Sequence, residues 1–328
     1  MDQFKAYLIQ ADGDAVRADF TMLERAQMDP GEVVVRIRYA SVNYKDALAA
    51  TGNGKIIRRF PCVGGIDATG TVESSQSSRF KAGDLVIVHG HGFGVAQHGG
   101  YAQLTRVPAD WVNLIPPQLT ELEAITLGVA GYTAALGVDL MELNGTRPEL
   151  GKVLVNGASG GVATISIDIL SQRGYEVVAV TRKPDQAQYL KELGAAEVIA
   201  ASDLPAATRP LEKAQWAAAV DSLGGEPLAR LTRTMQKDGV IASIGNAAGL
   251  EFTTSVMPFI LRGVRLIGVN SDNAPALREH VWTRLSGDLR PRHLARIAQV
   301  KPFEALPQAI AEVAAGRSRG RTVIAVAA

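Results

Sequence analysis

The sequence predicts an α/β protein in two parts, a doubly wound parallel sheet and a mostly β domain, and three observations carry this prediction. Between residues 150 and 270 short apolar segments alternate with helix-like segments, the order that gives a parallel sheet with helices on both faces. Residues 1 to about 115 contain short β-branched segments separated by Gly, Pro and Asn turns, as mostly β domains do. A length of 328 residues suits two cores.

Each strand follows from a local pattern of apolar residues bounded by turn residues. The first part contains predicted strands at Val33–Tyr39, Gly70–Glu73 and Leu85–His89. The second part contains six predicted strands with helices between them: Val153–Asn156, Glu176–Thr181, Glu197–Ile199, Ala217–Val220, Gly239–Ser243 and Leu266–Val269. This succession predicts the parallel sheet.

The predicted domain boundary follows Pro116 and Pro117, where the sequence becomes rich in Ala and Leu and Thr120 with Glu123 predicts a helix-starting capping box. Towards the C-terminus we expect amphipathic helices and a final strand that return to the first domain: Leu277–Leu289, Leu306–Ala315 and Thr322–Val326. The predicted domains are therefore residues 1–124 with 273–328, and residues 125–272.

Composition excludes several classes of protein. Lys and Arg number 34 and Asp and Glu 33, so no global charge attracts nucleic acid or an anionic membrane. The N-terminus lacks a signal-peptide pattern, and apolar runs such as Val153–Val155 are far shorter than the roughly 20 residues of a membrane helix. We expect a cytoplasmic protein.

Cys62 is the only cysteine, which excludes intramolecular disulfides and multi-cysteine zinc sites. We expect its side chain to be buried and inert.

A glycine-rich turn follows the predicted strand Val153–Asn156 and precedes an apolar helix. The turn, Gly157–Ala163, has the spacing G-x-x-G-x-x-A. Glycine lets the chain turn sharply and lets its backbone approach a pyrophosphate, which backbone N–H groups at the helix start then bind. The prediction assigns cofactor contacts to Ser159, Gly160, Gly161 and Val162. Taken alone, this turn is compatible with NAD, FAD or an ordinary tight turn.

The end of the next predicted strand distinguishes between nucleotides. It reads Thr181-Arg182-Lys183, about 20 residues after the turn, where an NAD-binding protein usually has Asp or Glu for the ribose hydroxyls. Two cations and a hydroxyl can instead bind a 2′-phosphate. These residues therefore predict NADPH, and a solvated basic loop is the alternative.

With these residues considered, the chain resembles the zinc-independent quinone-reductase branch of the medium-chain dehydrogenases/reductases over essentially its full length. The similar segments occur in the family's order: Ser41–Asp46, Gly64–Gly70, Phe80–Val86 and Gly99–Ala102. Three segments look like those of NADPH-dependent acryloyl-coenzyme A reductases: Ser41–Asp46, Arg209–Lys213 and Val256–Arg262. The resemblance implies a Rossmann domain at residues 125–272 and a GroES-like domain in the remainder.

The resemblance also concerns metals. The family's zinc-dependent alcohol dehydrogenases have a catalytic Cys in the segment that matches residues 42–46 and a His in the segment that matches residues 65–67, where this chain has Asn43 and Ile66. An amide and an alkyl group cannot replace a thiolate and an imidazole on zinc, so we predict no catalytic metal. His89, His91 and His98 could suggest a metal site, because His89 and His91 are two residues apart and would share one side of a strand. The favoured interpretation is a glycine-rich loop, His89–Gly94, with its histidines at the rim of the cleft.

Further site residues are implied by the resemblance alone. Tyr44 is expected against the nicotinamide ribose, where it orients the cofactor or relays a proton. The remaining cofactor contacts implied by the family are Asn246, Ile260, Ser271 and Arg317. Arg317, Arg319 and Arg321 are candidates for the phosphates of coenzyme A, and the role of Arg317 in this set and towards NADPH stays open.

Three functions are compatible with these residues. The first is reduction of the activated C=C bond of a short enoyl thioester, acryloyl-CoA to propanoyl-CoA, by NADPH. The second is NADPH-dependent quinone or enone reduction on the same scaffold, and the third is NADPH binding without catalysis. Phe93 and Asn246 stand where acryloyl-CoA reductases often have Trp and Leu, so the substrate stays open. By analogy with relatives we expect a homodimer joined at the outer strands of the sheet, around Val256–Val269.

Overall fold

The computed structural model describes residues 2–13 and 15–327. Its strands are β1 (Gln3–Asp12), β2 (Ala15–Glu24), β3 (Val33–Val42), β4 (Cys62–Val63), β5 (Asp67–Ser75), β6 (Leu85–His89), β7 (Leu104–Val107), β8 (Val112–Leu114), β9 (Val153–Val155), β10 (Val177–Thr181), β11 (Glu197–Ala200), β12 (Trp216–Asp221), β13 (Met235–Ser243), β14 (Arg265–Gly268), β15 (Ala298–Pro302) and β16 (Arg321–Ala325). Its α-helices are α1 (Tyr44–Ala50), α2 (Glu121–Leu143), α3 (Gly161–Gln172), α4 (Ala187–Glu192), α5 (Gly225–Thr234), α6 (Met257–Arg262), α7 (Pro275–Ser286), α8 (Leu294–Ile297) and α9 (Leu306–Ala314).

The chain divides into two compact units. The β-rich unit comprises Met1–Val129, Ala274–Trp282 and Leu294–Ala328, and the nucleotide-type unit comprises Ala130–Asn273 and Thr283–His293. Two of the four divisions fall inside helices, one within α2 and one within α7, and the other two fall between elements, at 273/274 and 293/294. A prediction from sequence places a domain boundary where the residue composition changes. It therefore does not detect a boundary that lies inside a continuous helix.

The nucleotide-type unit contains one sheet whose strands follow the order β11-β10-β9-β12-β13-β14. Every neighbouring pair is parallel. All six predicted strands are present, and the doubly wound fold class is confirmed. The central strands β9, β10 and β12 are buried along their whole length, because both faces of a parallel sheet are covered. The chain order reverses between β9 and β12, the position where such sheets bind ligands.

The β-rich unit contains two sheets, β2-β1-β4 and β15-β16-β3-β5-β6-β8, with β7 paired to β3. Its apolar core includes Ile37, Val88, Tyr101 and Phe303. The mostly β character predicted for this part is confirmed.

Helix α2 begins with the predicted capping box. The Thr120 N–H donates to Glu123 Oε2 at 2.9 Å, and the Glu123 N–H donates to Thr120 Oγ1 at 3.2 Å. The helix kinks at Gly128, whose φ of +49° and ψ of −151° are not helical, and a Cβ there would overlap Asp67 Oδ2. Only glycine fits that conformation and that space.

Helix α2 is also the one helix in the described part of the chain whose length and hydropathy reach those of a membrane span. The lengths of apolar runs in the sequence did not indicate this helix, because Gly, Thr and acidic residues interrupt its apolar residues. The most apolar window of this helix is 94 % buried within the protein, as in the core helix of a folded domain.

Candidate functional site

The glycine turn joins β9 to α3 at the reversal point of the sheet. Gly157 has a φ of +57°, in the left-handed region that favours glycine. Its carbonyl accepts the Gly160 N–H at 2.8 Å, and the Ala158 N–H donates to the Val180 carbonyl of the neighbouring strand at 3.1 Å. The predicted strand, turn and helix are therefore present in this order.

The first backbone N–H groups of α3 are available to bind a ligand. Gly160 is the N-cap residue and provides no side-chain cap, so no capping side chain uses the first N–H groups of the helix. Such groups carry the positive end of the helix dipole and bind phosphate. Ser159, Gly161 and Val162 lie on either side of Gly160, and a Cβ at Gly160 would lie 3.1 Å from the Gly157 carbonyl oxygen of the same turn.

The end of β10 is adjacent to this turn in the sheet, since β10 pairs with β9. Thr181 is buried, and its Oγ1 accepts the Lys183 N–H at 3.0 Å, which leaves the hydroxyl hydrogen as a donor. Arg182 is exposed and Lys183 is half-buried. Burial lowers the pKa of Lys183; the charge of Asp185 opposes this shift, and the charge of Arg182 adds to it. Two cations and one donor thus follow β10, as the NADPH prediction requires.

Asn246 and Ser271 follow β13 and β14, so both lie beyond the carboxyl ends of strands, at the same edge as the glycine turn. Asn246 is exposed and Ser271 is half-buried. Ile260 lies elsewhere, on α6, with 68 % of its surface exposed. That helix ends at Arg262, which donates to the Met235 carbonyl at the amino end of β13.

Asn156 and Asp221, at the ends of β9 and β12, form a buried pair that was not predicted from the sequence. Asn156 Nδ2 donates to Asp221 Oδ1 at 2.5 Å. Burial raises the pKa of the Asp221 carboxyl above its ordinary value, and the hydrogen bonds with Asn156 and Gly224 only partly oppose this shift. In the sequence, a polar residue at the end of a buried strand indicates a candidate site residue at each of the two positions. Nothing in the sequence indicates that the two side chains contact each other.

A cavity of about 290 Å³ lies at the opposite edge of the same sheet, where β12, β13 and β14 begin. Its wall includes Thr146, Gln236, Lys237 and Arg265. Parallel sheets bind nucleotides at the carboxyl edge, so this cavity is separate from the glycine turn.

In the β-rich unit, Tyr44 is the first residue of α1 and is 41 % exposed. The helix start is held by a capping box, in which Asn43 is the N-cap and its N–H donates to Asp46 Oδ2 at 2.9 Å. Asp46 Oδ1 also accepts the Ile66 N–H at 2.9 Å. The Tyr44 side chain therefore projects from a backbone that buried hydrogen bonds hold in place.

The positions that correspond to zinc ligands in alcohol dehydrogenases hold a hydrogen-bonded cluster without a metal-binding set. Asn43 Nδ2 donates to Asp67 Oδ1 at 3.2 Å, and Arg321 donates to Asn43 Oδ1 at 2.9 Å and pairs with Asp67 Oδ2 at 3.4 Å. Ile66 contributes only an alkyl group. Within residues 2–13 and 15–327 no three or more His, Cys, Asp or Glu residues form a group that could hold a metal. These residues do not fit zinc.

Arg321 is therefore not a surface cation, and its candidacy for coenzyme A was wrong. It is 3 % exposed, and it also donates to the Thr126 carbonyl at 3.1 Å. Its carboxylate and carbonyl partners come from distant parts of the sequence, so spacing with Arg317 and Arg319 did not reveal its burial. Those two arginines are exposed and follow α9.

The predicted placement of the histidines was wrong for His89. It is fully buried at the end of β6, where its Nε2 accepts the Trp282 Nε1–H at 3.1 Å, and burial holds its pKa well below the ordinary value. His91 lies past the strand with a φ of +55° and stacks on Trp111, so strand alternation does not apply to it. His98 Nδ1 accepts a main-chain N–H at 2.9 Å.

Cys62 is buried, as predicted. Burial raises the pKa of its thiol to about 12, so the reactive thiolate is scarce at neutral pH.

The Asp46 carboxyl leads to a test of pH dependence. Burial, followed by the charge of Asp67, raises its pKa to about 7. Between the ordinary value and about 7 the folded state binds more protons than the unfolded state, so this group makes stability fall as pH rises. We expect the free energy of unfolding lost in Asp46→Asn to be smaller at pH 8 than at pH 5, by about 2 kcal/mol. Urea unfolding at both pH values measures this difference. The exposed Asp203→Asn serves as control, and an equal loss at both pH values would contradict the assignment.

Comparison with known proteins places this geometry in a family. The model of the alcohol dehydrogenase GroES-like domain matches residues 29–117, and the model of the zinc-binding dehydrogenase matches residues 161–286. The chain is 41 % identical over 324 residues to "Putative quinone oxidoreductase YhfP" of Bacillus subtilis, covering 98 % of each chain. It is 39 % identical over 327 residues to acrylyl-CoA reductase AcuI of Ruegeria pomeroyi, covering 98 % of this chain and 99 % of that protein.

Solved structures agree with this placement. The yhdH oxidoreductase of Salmonella enterica, in complex with NADP, superposes with a TM-score of 0.95 at 40 % identity, over 98 % of this chain and 99 % of that chain. The yhfP protein of Bacillus subtilis, with NAD bound, gives the same TM-score and identity over 99 % of this chain and 100 % of that chain. The chain therefore belongs to the medium-chain dehydrogenase/reductase superfamily, in the branch that contains these oxidoreductases and acrylyl-CoA reductases.

Proposed function

We propose that this oxidoreductase reduces the activated C=C bond of a short enoyl thioester, acryloyl-CoA to propanoyl-CoA, with NADPH and without zinc. The observation that carries the proposal is the full-length similarity to an acrylyl-CoA reductase, together with an amide and an alkyl group at the zinc-ligand positions. Without a Lewis acid at those positions, the scaffold suits a double bond already polarised by its thioester better than an alcohol.

NADPH is the cofactor. Its pyrophosphate is assigned to the turn Ser159–Val162, where α3 has no capping side chain, and its 2′-phosphate to Thr181, Arg182 and Lys183. No carboxylate stands at Thr181–Lys183 to repel that phosphate. A relative at 40 % identity holds NAD, so the branch itself does not impose one nucleotide, and the cations after β10 carry the preference in this chain.

The reaction requires a hydride for the β-carbon, stabilisation of the negative charge that develops on the thioester oxygen, and a proton for the α-carbon, which together give propanoyl-CoA. Bound NADPH would supply the hydride and become NADP. Asn246 and Ser271, at the carboxyl edge of the sheet, are assigned to the nicotinamide end of the cofactor. Arg317 is assigned a further cofactor contact by the resemblance, whereas Ile260, which lies on α6 away from the carboxyl edge, is assigned none. Arg317 and Arg319 also stay candidates for the phosphates of coenzyme A.

Tyr44 is assigned the orientation of the nicotinamide ribose. We expect Tyr44→Phe to lower kcat/KM by roughly fivefold, since one hydroxyl hydrogen bond contributes about 1 kcal/mol. Steady-state kinetics over a range of pH measures this, and the half-buried Tyr39→Phe is the matched control. If Tyr44 relays the proton, the pH profile of kcat changes as well. An unchanged kcat/KM would remove Tyr44 from the site.

One assay separates the candidate functions. NADPH oxidation is measured at equal enzyme concentration with acryloyl-CoA, crotonyl-CoA, longer enoyl thioesters, enones and quinones. We expect the highest kcat/KM with acryloyl-CoA. Quinone or enone reduction is the second candidate, favoured by the similarity to YhfP, and activity with quinones alone would overturn the first proposal. NADPH binding without oxidation by any compound would instead support a binding protein.

The proposed homodimer uses the outer edge of the nucleotide-type sheet. In the described part of the chain β14 pairs only with β13, and α6 and the residue before it expose three apolar side chains: Val256, Ile260 and Leu261. Arg262 fixes this helix, because it donates to the Arg233 carbonyl at 3.0 Å, the Met235 carbonyl at 2.9 Å and the Glu212 carbonyl at 2.5 Å. It thereby joins two segments typical of acryloyl-CoA reductases, residues 209–213 and 256–262.

The exposed outer edge of the sheet leads to a prediction of the oligomeric state. We expect a dimer by light scattering after size exclusion, and a monomer for Leu261→Asp, because a buried unpaired charge is costly at an interface. The exposed Leu143→Asp in the same unit should leave the mass unchanged, and a monomeric wild-type protein would contradict the proposal.

A further inference from the structure

Asn156 and Asp221 close the two central strands of the nucleotide-type sheet. Val155 of β9 lies opposite Val220 of β12, so the next residues in register are these two polar ones. They are 3 % and 0 % exposed. A buried carboxylate needs hydrogen-bond donors, and the Asn156 Nδ2 is one of them at 2.5 Å.

Further hydrogen bonds extend the pair into three loops. Asn156 Oδ1 accepts the Ser222 N–H at 2.7 Å, and Asp221 Oδ2 accepts the Gly224 N–H at 3.0 Å. The main-chain carbonyl of Asp221 accepts the Ile244 N–H at 2.8 Å. The pair therefore connects the loops that follow β9, β12 and β13, which together form the carboxyl edge beside the reversal point.

The same loops are in close contact. A Cβ at Gly157 would lie 3.3 Å from Leu223 Cδ2, and a Cβ at Gly245 would overlap the Ser222 carbonyl. The glycine turn and the loop after β13 therefore pack directly against residues 222–223, which lie next to Asp221 in the chain.

We infer that Asn156 and Asp221 are positioning residues for NADPH: by hydrogen bonding to each other they hold the glycine turn against residues 222–224 and so set the geometry of its phosphate-binding N–H groups. Neither residue is assigned a contact with the cofactor. The inference rests on the proposed placement of the pyrophosphate at the glycine turn.

Asn and Asp are complementary at these two positions, because the amide donates a hydrogen bond and the carboxylate accepts it. Replacing only one of the two residues therefore breaks the pair. Asp at position 156 would bring two carboxylates together in a buried place, and Asn at position 221 would face Asn156 with one acceptor fewer for the Gly224 N–H. Exchanging both residues preserves net charge. In the exchanged pair, an aspartate at 156 accepts from Ser222 and from the amide at 221, whose oxygen accepts from Gly224. Only the weak contact of Asp221 Oδ1 with the Leu223 N–H, at 3.4 Å, is lost.

The test compares Asn156→Asp, Asp221→Asn and the double exchange. The Kd for NADPH is measured by titration calorimetry on the full chain, and thermal unfolding reports on folding. We expect each single variant to raise Kd roughly tenfold, the usual size of coupling within one hydrogen-bond network, and the double exchange to restore Kd to within about threefold of wild type. For Asn156→Asp the loss relative to wild type should shrink from pH 8 to pH 6, as one carboxyl takes up a proton.

Gln236→Met is the matched control, since it removes a side-chain hydrogen bond to the Gln215 carbonyl at the opposite edge of the sheet; its Kd should not change. Single variants that lower thermal stability but bind NADPH as wild type does, or a double exchange that binds no better than they do, would overturn the inference. Gly160→Val separates this failure from that of the proposed site: if it too leaves Kd unchanged, the pyrophosphate does not lie at the turn.

Discussion

Replacing Gly160 with Val is expected to raise the Kd for NADPH about 100-fold, close to 3 kcal/mol of binding free energy. The φ of −79° at Gly160 is accessible to any residue, and a Cβ there would lie 3.1 Å from the Gly157 carbonyl oxygen. The chain should therefore fold with at most a small adjustment. The added side chain would stand between the first N–H groups of α3 and the pyrophosphate that they are proposed to bind.

Titration calorimetry with NADPH measures this effect, and thermal unfolding confirms that the variant is folded. Gly137→Ala is the matched control, because a Cβ at that helical glycine of the same unit would meet only ordinary contacts at 3.5 Å or more. A Kd equal to that of wild type in Gly160→Val would place the cofactor elsewhere.

Replacing Arg182 with Glu is expected to weaken NADPH binding by roughly 100-fold while leaving NADH affinity nearly unchanged. The substitution removes one charge-assisted hydrogen bond to the 2′-phosphate and adds a repulsive charge, and each effect is of the order of 1–3 kcal/mol. NADH has no 2′-phosphate, so its affinity reports on the rest of the site. The ratio of the two Kd values is the quantity to measure.

Arg265→Glu makes the same change of charge at the start of β14, on the opposite edge of the sheet, and should leave the ratio as in wild type. A parallel loss of NADH and NADPH affinity in Arg182→Glu would indicate damage to the fold. Unchanged NADPH affinity would show that the cations after β10 do not select the nucleotide.

The strands of the nucleotide-type sheet were predictable because each depends on a short run of apolar residues. The predicted strand Glu176–Thr181, for example, differs from β10 by one residue. The glycine turn was predictable for the same reason, since strand, turn and helix adjoin in the chain. The capping box at Thr120 and Glu123 likewise involves residues three positions apart.

Other features depend on residues that are far apart in the sequence. His89 was expected at a rim, yet Trp282 and neighbouring core residues bury it. Arg321 was expected in solvent, as most arginines are, but its partners Asn43 and Asp67 lie more than 250 residues away. Helix α2 continues across the predicted boundary because tertiary burial, and not an uninterrupted apolar run, stabilises it.

The sequence by itself determined the glycine turn and the cations that follow β10, because these depend on residue type at local spacing. That Asn43 and Ile66 stand at zinc-ligand positions came from the resemblance to the family. Only the tertiary structure decided which polar residues meet. Parallel strands β9 and β12 are adjacent in the sheet but separated by some sixty residues of chain, and their register alone brings Asn156 against Asp221. Hydrogen bonds act over about 3 Å, so such pairs exist only after the sheet has formed.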